Sequence, residues 1–217
     1  MTIQTLLTAG VEQAIHAMRN PMDSWDYSDS EWEEGVVSLY PDFAKYIVGP
    51  KDKDLSERLQ KAGPEHAKHL RMIMVWADIV APRYWWTEFD TYRAGVEKLS
   101  CSTMHTITKR AFDASDFQQD DTELSQNAAI LNATMMDMWR EMYLDAKDDL
   151  AKQKEIWRCL IQNLPQSYLQ RRTVMMSYAA LRNIVKQRKG HKLDEWKWFI
   201  DWARTLPDSW MIFDGEE

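Results

Sequence analysis

LPQSYLQRRTVMMSYAALRNIVKQRKGHKLDEWKWFIDWAR, residues 164–204, is the stretch on which the reading of this 217-residue chain turns. The Leu164-Pro165 pair breaks whatever helix precedes it, because a residue before proline is driven out of helical backbone. The short apolar run from Thr173 to Met176 is expected as a strand. Residues 178–188 and 193–204 read as helices, with Gly190 placed where a helix C-cap belongs. Asn183, Arg188 and His191, followed by Asp194-Glu195-Trp196, put more polar chemistry on one segment than a packing helix needs.

Working outward, residues 124–150 read as one long helix with Leu124, Ala128, Leu131, Met135, Met138, Met142 and Leu150 on a stripe. A shorter helix over 152–160 runs up to Pro165. Upstream, residues 70–81 are rich in β-branched and aromatic side chains and stop at Pro82, which makes them the best strand, with a buried helix as the competing reading. Residues 83–92 are aromatic and expected as helix, 94–104 as a loop around Gly95, and 112–121 as an acidic connection. The spacing of Ile3, Leu6, Leu7, Val11, Ala14, Ile15 and Met18 predicts a helix over 3–18, ended by Asn20-Pro21. Residues 22–50 are acidic and aromatic and read as mostly irregular with a short helix. Residues 54–62 form a further helix stopped by Gly63-Pro64. The expected architecture is α+β: one helix-rich domain over 1–217 with a small antiparallel sheet, residues 1–50 being a divergent N-terminal segment.

Composition narrows the classes. Hydrophobic residues make up 45% and charged residues 28% of the chain, as in an ordinary soluble globular protein. Eleven tryptophans offer large flat surfaces for burial, and only seven Gly and seven Pro argue against long linkers. A net charge of −7 speaks against general nucleic-acid binding, although Arg171-Arg172 and residues 182–192 are locally basic. The two cysteines, Cys101 and Cys159, show no metal-type spacing and are expected as buried free thiols. No apolar run reaches the length of a membrane span, and the N-terminus lacks a signal-type pattern, so the expected setting is the cytoplasm.

Across roughly residues 54–105 and 160–204 the order of elements resembles the flavin-dependent thymidylate synthases. Leu164-Pro165, Leu181, Asn183 and Arg188 fall on that family's Leu-Pro, Leu, helix Asn and uracil-binding Arg. With one residue deleted, His191 falls on its flavin-side His and Glu195 on its Glu. Ser177 and Ala179 replace an Asn and an Arg. In the first block, Gly63-Pro64-Glu65-His66 echoes the Gly-His and Glu-His elements. Pro82 aligns with a strand-ending Pro, Glu88 stands at a Gln, and Thr91-Tyr92-Arg93 stands at the Arg-His-Arg signature. Only Arg93 survives there. Ser100 or Ser102 takes the phosphate-side Ser, and its paired Arg is absent. The resemblance implies Arg188 as the catalytic group, Asn183, Arg93, Ser100 and Glu88 as nucleotide contacts, and His66, Tyr92 and His191 on the cofactor side. It also implies FAD as cofactor, a homo-oligomer (a tetramer in the family), and reductive methylation of dUMP with a folate as one-carbon donor.

Each residue also has a plainer reading. Arg188 at a helix end caps carbonyls and complements the dipole. Asn183 is a weak helix former that needs no function. His66, His105 and His191 fit satisfied surface or core imidazoles. Glu88 and Asp90, beside Tyr84-Trp85-Trp86, fit an ion-pair network or a pocket wall. Cys101, four residues before His105, is a thiol nucleophile only if the imidazole reaches it. The methionines at 135, 136, 138 and 142 fit a core or an oligomer face. Two functions follow: a pyrimidine deoxynucleotide-binding, thymidylate synthase-like protein that methylates dUMP if it is active, or a non-catalytic interaction protein, viral in type, that keeps the fold without flavin chemistry. A purely helical structural protein is a third reading, and it requires that no strand form at 70–81.

Overall fold

The structure, a computed structural model, describes residues 1–33 and 45–213. The chain opens with strand β1 (Thr2–Ala9), and helix α1 (Val11–Arg19) follows one residue later. The single helix expected over 3–18 is therefore a strand and a helix. Gly10 makes the break: its φ is +97°, and a Cβ there would stand 2.2 Å from the Met72 carbonyl oxygen. Neither the backbone nor the space admits a side chain. The helical spacing was real only from Val11 on, where Ala14, Ile15 and Met18 are buried.

A short antiparallel pair follows, β2 (Glu31–Trp32) with β3 (Tyr46–Ile47), in a region expected to be irregular. A 3-10 turn at Trp25–Tyr27 supplies the short helical piece. The part of that expectation falling on 34–44 lies outside the described residues. Helix α2 (Pro50–Ala62) begins earlier than expected because Pro50 sits in its first turn, where a missing N–H costs nothing.

Strand β4 (Met74–Pro82) confirms the best sequence-based strand and removes the purely helical reading. Its side chains alternate, with Val75, Ala77, Ile79 and Ala81 fully buried and the residues between them half-buried. Helix α3 (Arg83–Phe89) is shorter than the expected 83–92. Residues 94–104, expected as loop, contain strand β5 (Val96–Ser100) and the start of a one-turn helix α4 (Thr103–Thr106). Helix α5 (Glu123–Asp145) stops short of 150; Asp149 then caps α6 (Leu150–Gln162) by accepting from the Lys152 N–H. Strand β6 (Leu169–Ser177) is longer than the four residues anticipated. Helix α7 (Tyr178–Arg188) has the expected bounds, started by the Ser177 hydroxyl accepting from the Ala180 N–H at 3.1 Å, and α8 (Asp194–Arg204) follows. The four main strands lie in the order β1-β4-β6-β5. The chain is α+β and helix-rich with a small antiparallel sheet.

The described residues pack as two compact units. The first comprises Met1–Gln4, Asp78–Tyr92 and Lys98–Val174; the second holds the rest. In the first, α5 packs on α6, and Phe117, Met136 and Leu160 are fully buried. Helix α5 buries Ala129, Ala133 and Met136, so the anticipated stripe is corrected: Leu124, Leu131, Met138 and Met142 are exposed. Both faces of α5 are apolar, and periodicity alone does not choose between them. In the second unit Ile15, Leu70, Ile73, Tyr178, Leu181, Trp196 and Phe199 are buried, and α7 packs on α8. Both cysteines are free as expected, but Cys101 is exposed and Cys159 half-buried rather than buried. No helix among the described residues is long and apolar enough to cross a membrane, and no group of three metal-ligating side chains is found among them.

Candidate functional site

The turn between α7 and α8, in the second unit, gathers the residues singled out at the C-terminal end. Gly190, with φ +73°, reverses the chain after α7. The His191 N–H then donates to the Arg188 carbonyl at 3.0 Å. The His191 Nδ1 accepts from the Leu193 N–H at 3.2 Å, which puts the proton of the neutral ring on Nε2. Trp196 is fully buried. The Arg188 guanidinium lies 4.4 Å from the centre of its ring, and the His191 ring meets the same indole edge-on at 6.2 Å. Glu195 is buried in the first turn of α8, where the helix dipole favours its charge. The indole face holds the guanidinium by a cation–π contact and so orients it at the turn.

The other predicted residues are distributed as follows. Asn183 is exposed on α7, its Oδ1 accepting from Gln187 Nε2 at 3.0 Å. Arg93, also in the second unit, is exposed. His66 is exposed, its Nε2 3.8 Å from a Glu65 carboxylate oxygen at the surface. In the first unit, Tyr92 is buried with its ring edge-on to Phe89 at 6.1 Å. Glu88 is half-buried on α3, and Ser100 is exposed at the end of β5. Arg188 and His191 are thus brought together, whereas His66 stands at the surface and Tyr92 in an aromatic cluster.

The polar group expected around Glu88 and Asp90 is organised by Asp90. It accepts from Arg172 Nη1 at 2.8 and 3.1 Å and pairs with Lys98 at 3.0 Å. Burial opposes the charge on Asp90, but the hydrogen bonds from Lys98 and Arg172 outweigh it and hold the carboxyl below its ordinary range. Arg172 also lies 4.3 Å over the Trp86 ring, and Trp86 donates to the Gln170 carbonyl at 2.9 Å. Sequence reading did not pair Arg172 with Asp90, 82 residues away; the adjacent basic pair Arg171-Arg172 just ahead of the predicted strand was the available signal.

Two buried polar groups have no sequence signature. Asp52, fully buried, accepts from Arg19 Nε (2.5 Å), Ser28 (2.7 Å), Ser30 (2.6 Å) and the Asp29 N–H (3.2 Å). Ser56 Oγ stands 2.8 Å from His69 Nε2 with both residues buried. This is not a nucleophile pair: among the described residues no carboxylate orients the ring, and its Nδ1 has no hydrogen-bond partner there. Burial, and secondarily the charge of Arg182, push His69 down to about 4.

The first unit also contains a cleft of about 370 Å³ between the end of β5, α4, the start of β6 and residues 107–116. Cys101, Lys109, Arg110, Phe112, Tyr168 and Arg171 line it.

No family model matches the sequence, and no curated protein matches it. Solved structures do. A thymidylate synthase X from Helicobacter pylori, crystallised with FAD and dUMP, superposes with a TM-score of 0.71 at 18% identity, covering 100% of both chains. A flavin-dependent thymidylate synthase from Helicobacter pylori complexed with FAD and dUMP gives 0.69 at 19% identity, covering 97% of this chain and 96% of that one. At such identity the likeness establishes the fold.

Proposed function

We propose that this chain, built on the fold of the flavin-dependent thymidylate synthases, binds a pyrimidine deoxynucleotide at the α7–α8 turn, with FAD as its candidate cofactor. The carrying observation is Arg188, oriented on Trp196 beside His191. Both structural neighbours hold FAD and dUMP. A guanidinium beside a uracil supplies positive charge that stabilises negative charge developing on the ring. Asn183, on the same helix, is a further donor. Flavin, when bound, supplies hydride; with a folate one-carbon donor the reaction class is reductive methylation of dUMP.

The residues fit the two ends of that chemistry unequally. At the base end the reading is supported by Arg188 on Trp196, with His191, the cofactor-side residue of the resemblance, against the same indole. At the positions of the family's Arg-His-Arg signature, Thr91 carries no charge, Tyr92 is buried against Phe89, and Arg93 alone is a cation. This favours a second reading, in which the nucleotide site is kept and the flavin chemistry lost. Self-assembly belongs to both readings and is supported by the exposed apolar face of α5.

An absorbance scan through the flavin bands, with FAD and then dUMP added, separates them. A bound-flavin spectrum that dUMP perturbs is expected. Arg188→Ala should weaken dUMP about 10- to 100-fold, the cost of about 1.5–3 kcal/mol for a charged hydrogen bond. Binding of dUMP by calorimetry with no flavin spectrum would select the second reading, and no binding of either ligand would end both.

A further inference from the structure

A second cleft, in the second unit, lies between α1, the 3-10 turn at Trp25–Tyr27 and β3, and takes no part in the reading above. Its volume of about 540 Å³ falls within the range of roughly 300–1,000 Å³ usual for small-molecule pockets. Glu12 and His16, one turn apart on α1, line it together with Trp25 and Tyr46. Trp25 stacks on His16 at 5.8 Å and 14°, and its Nε1 donates to Asn20 Oδ1 at 2.8 Å. The indole is thereby fixed, yet it stays exposed. Tyr46 meets Trp32 edge-on at 5.4 Å and 66°, and Trp32 Nε1 donates to Glu12 Oε1 at 3.2 Å. Two aromatic pairs are thus tied to one turn of α1. A chain that buries Trp85, Trp86 and Trp196 completely leaves Trp25 and Trp32 open to solvent.

The charge around these rings is negative. Residues 20–33 contain Asp23, Asp26, Asp29, Glu31 and Glu33 and no Lys or Arg. Among the described residues Arg19 is the one Lys or Arg that lines the cleft, and it is paired with Asp52. Each carboxylate oxygen of Glu12 already accepts one hydrogen bond, Oε1 from Trp32 and Oε2 from Gln13 Nε2 at 3.2 Å. Burial holds the Tyr46 hydroxyl above its ordinary pKa, and the charges of Asp52 and Glu12 add to this against a hydrogen bond with Ser30, so the ring stays neutral. The cleft therefore offers ring faces and an uncompensated negative charge rather than a set of open acceptors.

We propose that this cleft binds a quaternary ammonium group, its methyls set against Trp25 and Tyr46 and its charge facing Glu12. Aromatic faces attract a cation through the ring quadrupole, most strongly at an indole. A primary ammonium or a guanidinium brings several N–H donors that must be satisfied once water is displaced. A quaternary ammonium brings none, so it suits a cleft whose acceptors are engaged. The same carboxylates repel a phosphate, which sets this site apart from the nucleotide reading.

The test follows the N-methyl protons of choline by NMR in the presence of the full chain. Saturable binding is expected, with an upfield shift from the ring currents of the indole and phenol. The neutral isostere of choline, in which a quaternary carbon replaces the nitrogen, should bind at least about tenfold more weakly. Trp25→Ala should weaken choline about 3- to 30-fold, the span of a cation–π contact, with little change in unfolding temperature because the side chain is exposed. Glu12→Gln keeps an acceptor for Trp32 and loses only the charge, and should weaken choline about threefold or more. A glycine-flanked trimethyl-lysine peptide carries the same head. If it binds more tightly than choline, the group belongs to a modified protein chain; if more weakly, to a free small molecule. Neither probe binding saturably, an isostere that binds as well as choline, or binding unchanged in both variants would overturn the site.

Discussion

His69 is buried, shares a hydrogen bond with Ser56, and feels the positive charge of Arg182 as well as the cost of burial. Its native pKa of about 4 lies below the ordinary histidine value of 6.5, so the unfolded chain binds a proton first. The sign follows: above 6.5 the residue costs nothing, stability falls as pH drops from 6.5 towards 4, and below 4 the loss is constant. The full difference corresponds to about 3 kcal/mol. Urea titrations between pH 7 and pH 4 should show this decline, and His69→Gln should flatten it; an equal slope in the variant would assign the acid sensitivity elsewhere. Asp52 is the opposite case, a buried carboxylate that accepts four hydrogen bonds. Asp52→Ala strands Arg19, itself buried, and should cost about 3–5 kcal/mol by urea unfolding. Neither residue was legible in the sequence, because their partners come from separate segments: Arg19, Ser28 and Ser30 for one, Ser56 and Arg182 for the other. Arg188 and His191 were legible because they lie three residues apart on one turn, where spacing alone brings them together.

At the scale of elements, legibility followed the strength of the local signal. Helix α7 lies between a Ser cap and a Gly reversal and was read to the residue. Strand β4 was read within a few residues because its alternation ends at a proline. Strand β5 was missed because Val96–Ser100 is short, sits at the edge of the sheet and exposes Leu99, so it has no burial pattern to read. The β1–α1 break was missed for another reason: Ile3, Leu6 and Leu7 happen to continue the helical spacing of α1, and only the approach of Met72 shows why Gly10 is required. This gives a prediction. Gly10→Ala imposes a left-handed backbone on a residue with a Cβ, at about 1–2 kcal/mol, and must also displace the Met72 carbonyl. A loss of at least about 2 kcal/mol by thermal unfolding is expected; a neutral substitution would mean that the β1–α1 corner adopts another backbone.

For the molecule as a whole, the surface of α5 is the open question that physics can answer. Leu124, Leu131 and Met138 recur every seven residues, with Met142 one turn on and Ile130 beside them, and all are exposed, Leu124 by 82% and Leu131 by 70%. An apolar seam of this length is rare on a monomer and is ordinarily covered by a partner. The seven-residue spacing is that of helices packing against one another along a seam, as two copies of α5 would. The same helix already buries Ala129, Ala133 and Met136 against its own unit, so the seam is spare surface rather than misplaced core. The expected outcome is a native mass by light scattering that is a multiple of one chain, with an unfolding temperature that rises with protein concentration. Leu131→Glu/Met138→Glu should shift the mass to a single chain without changing the helical circular dichroism, because neither side chain supports the fold of its own unit. A wild-type protein that runs as one chain at every concentration would leave the seam without a self-partner and would separate this molecule from the assembled state its fold resemblance implies.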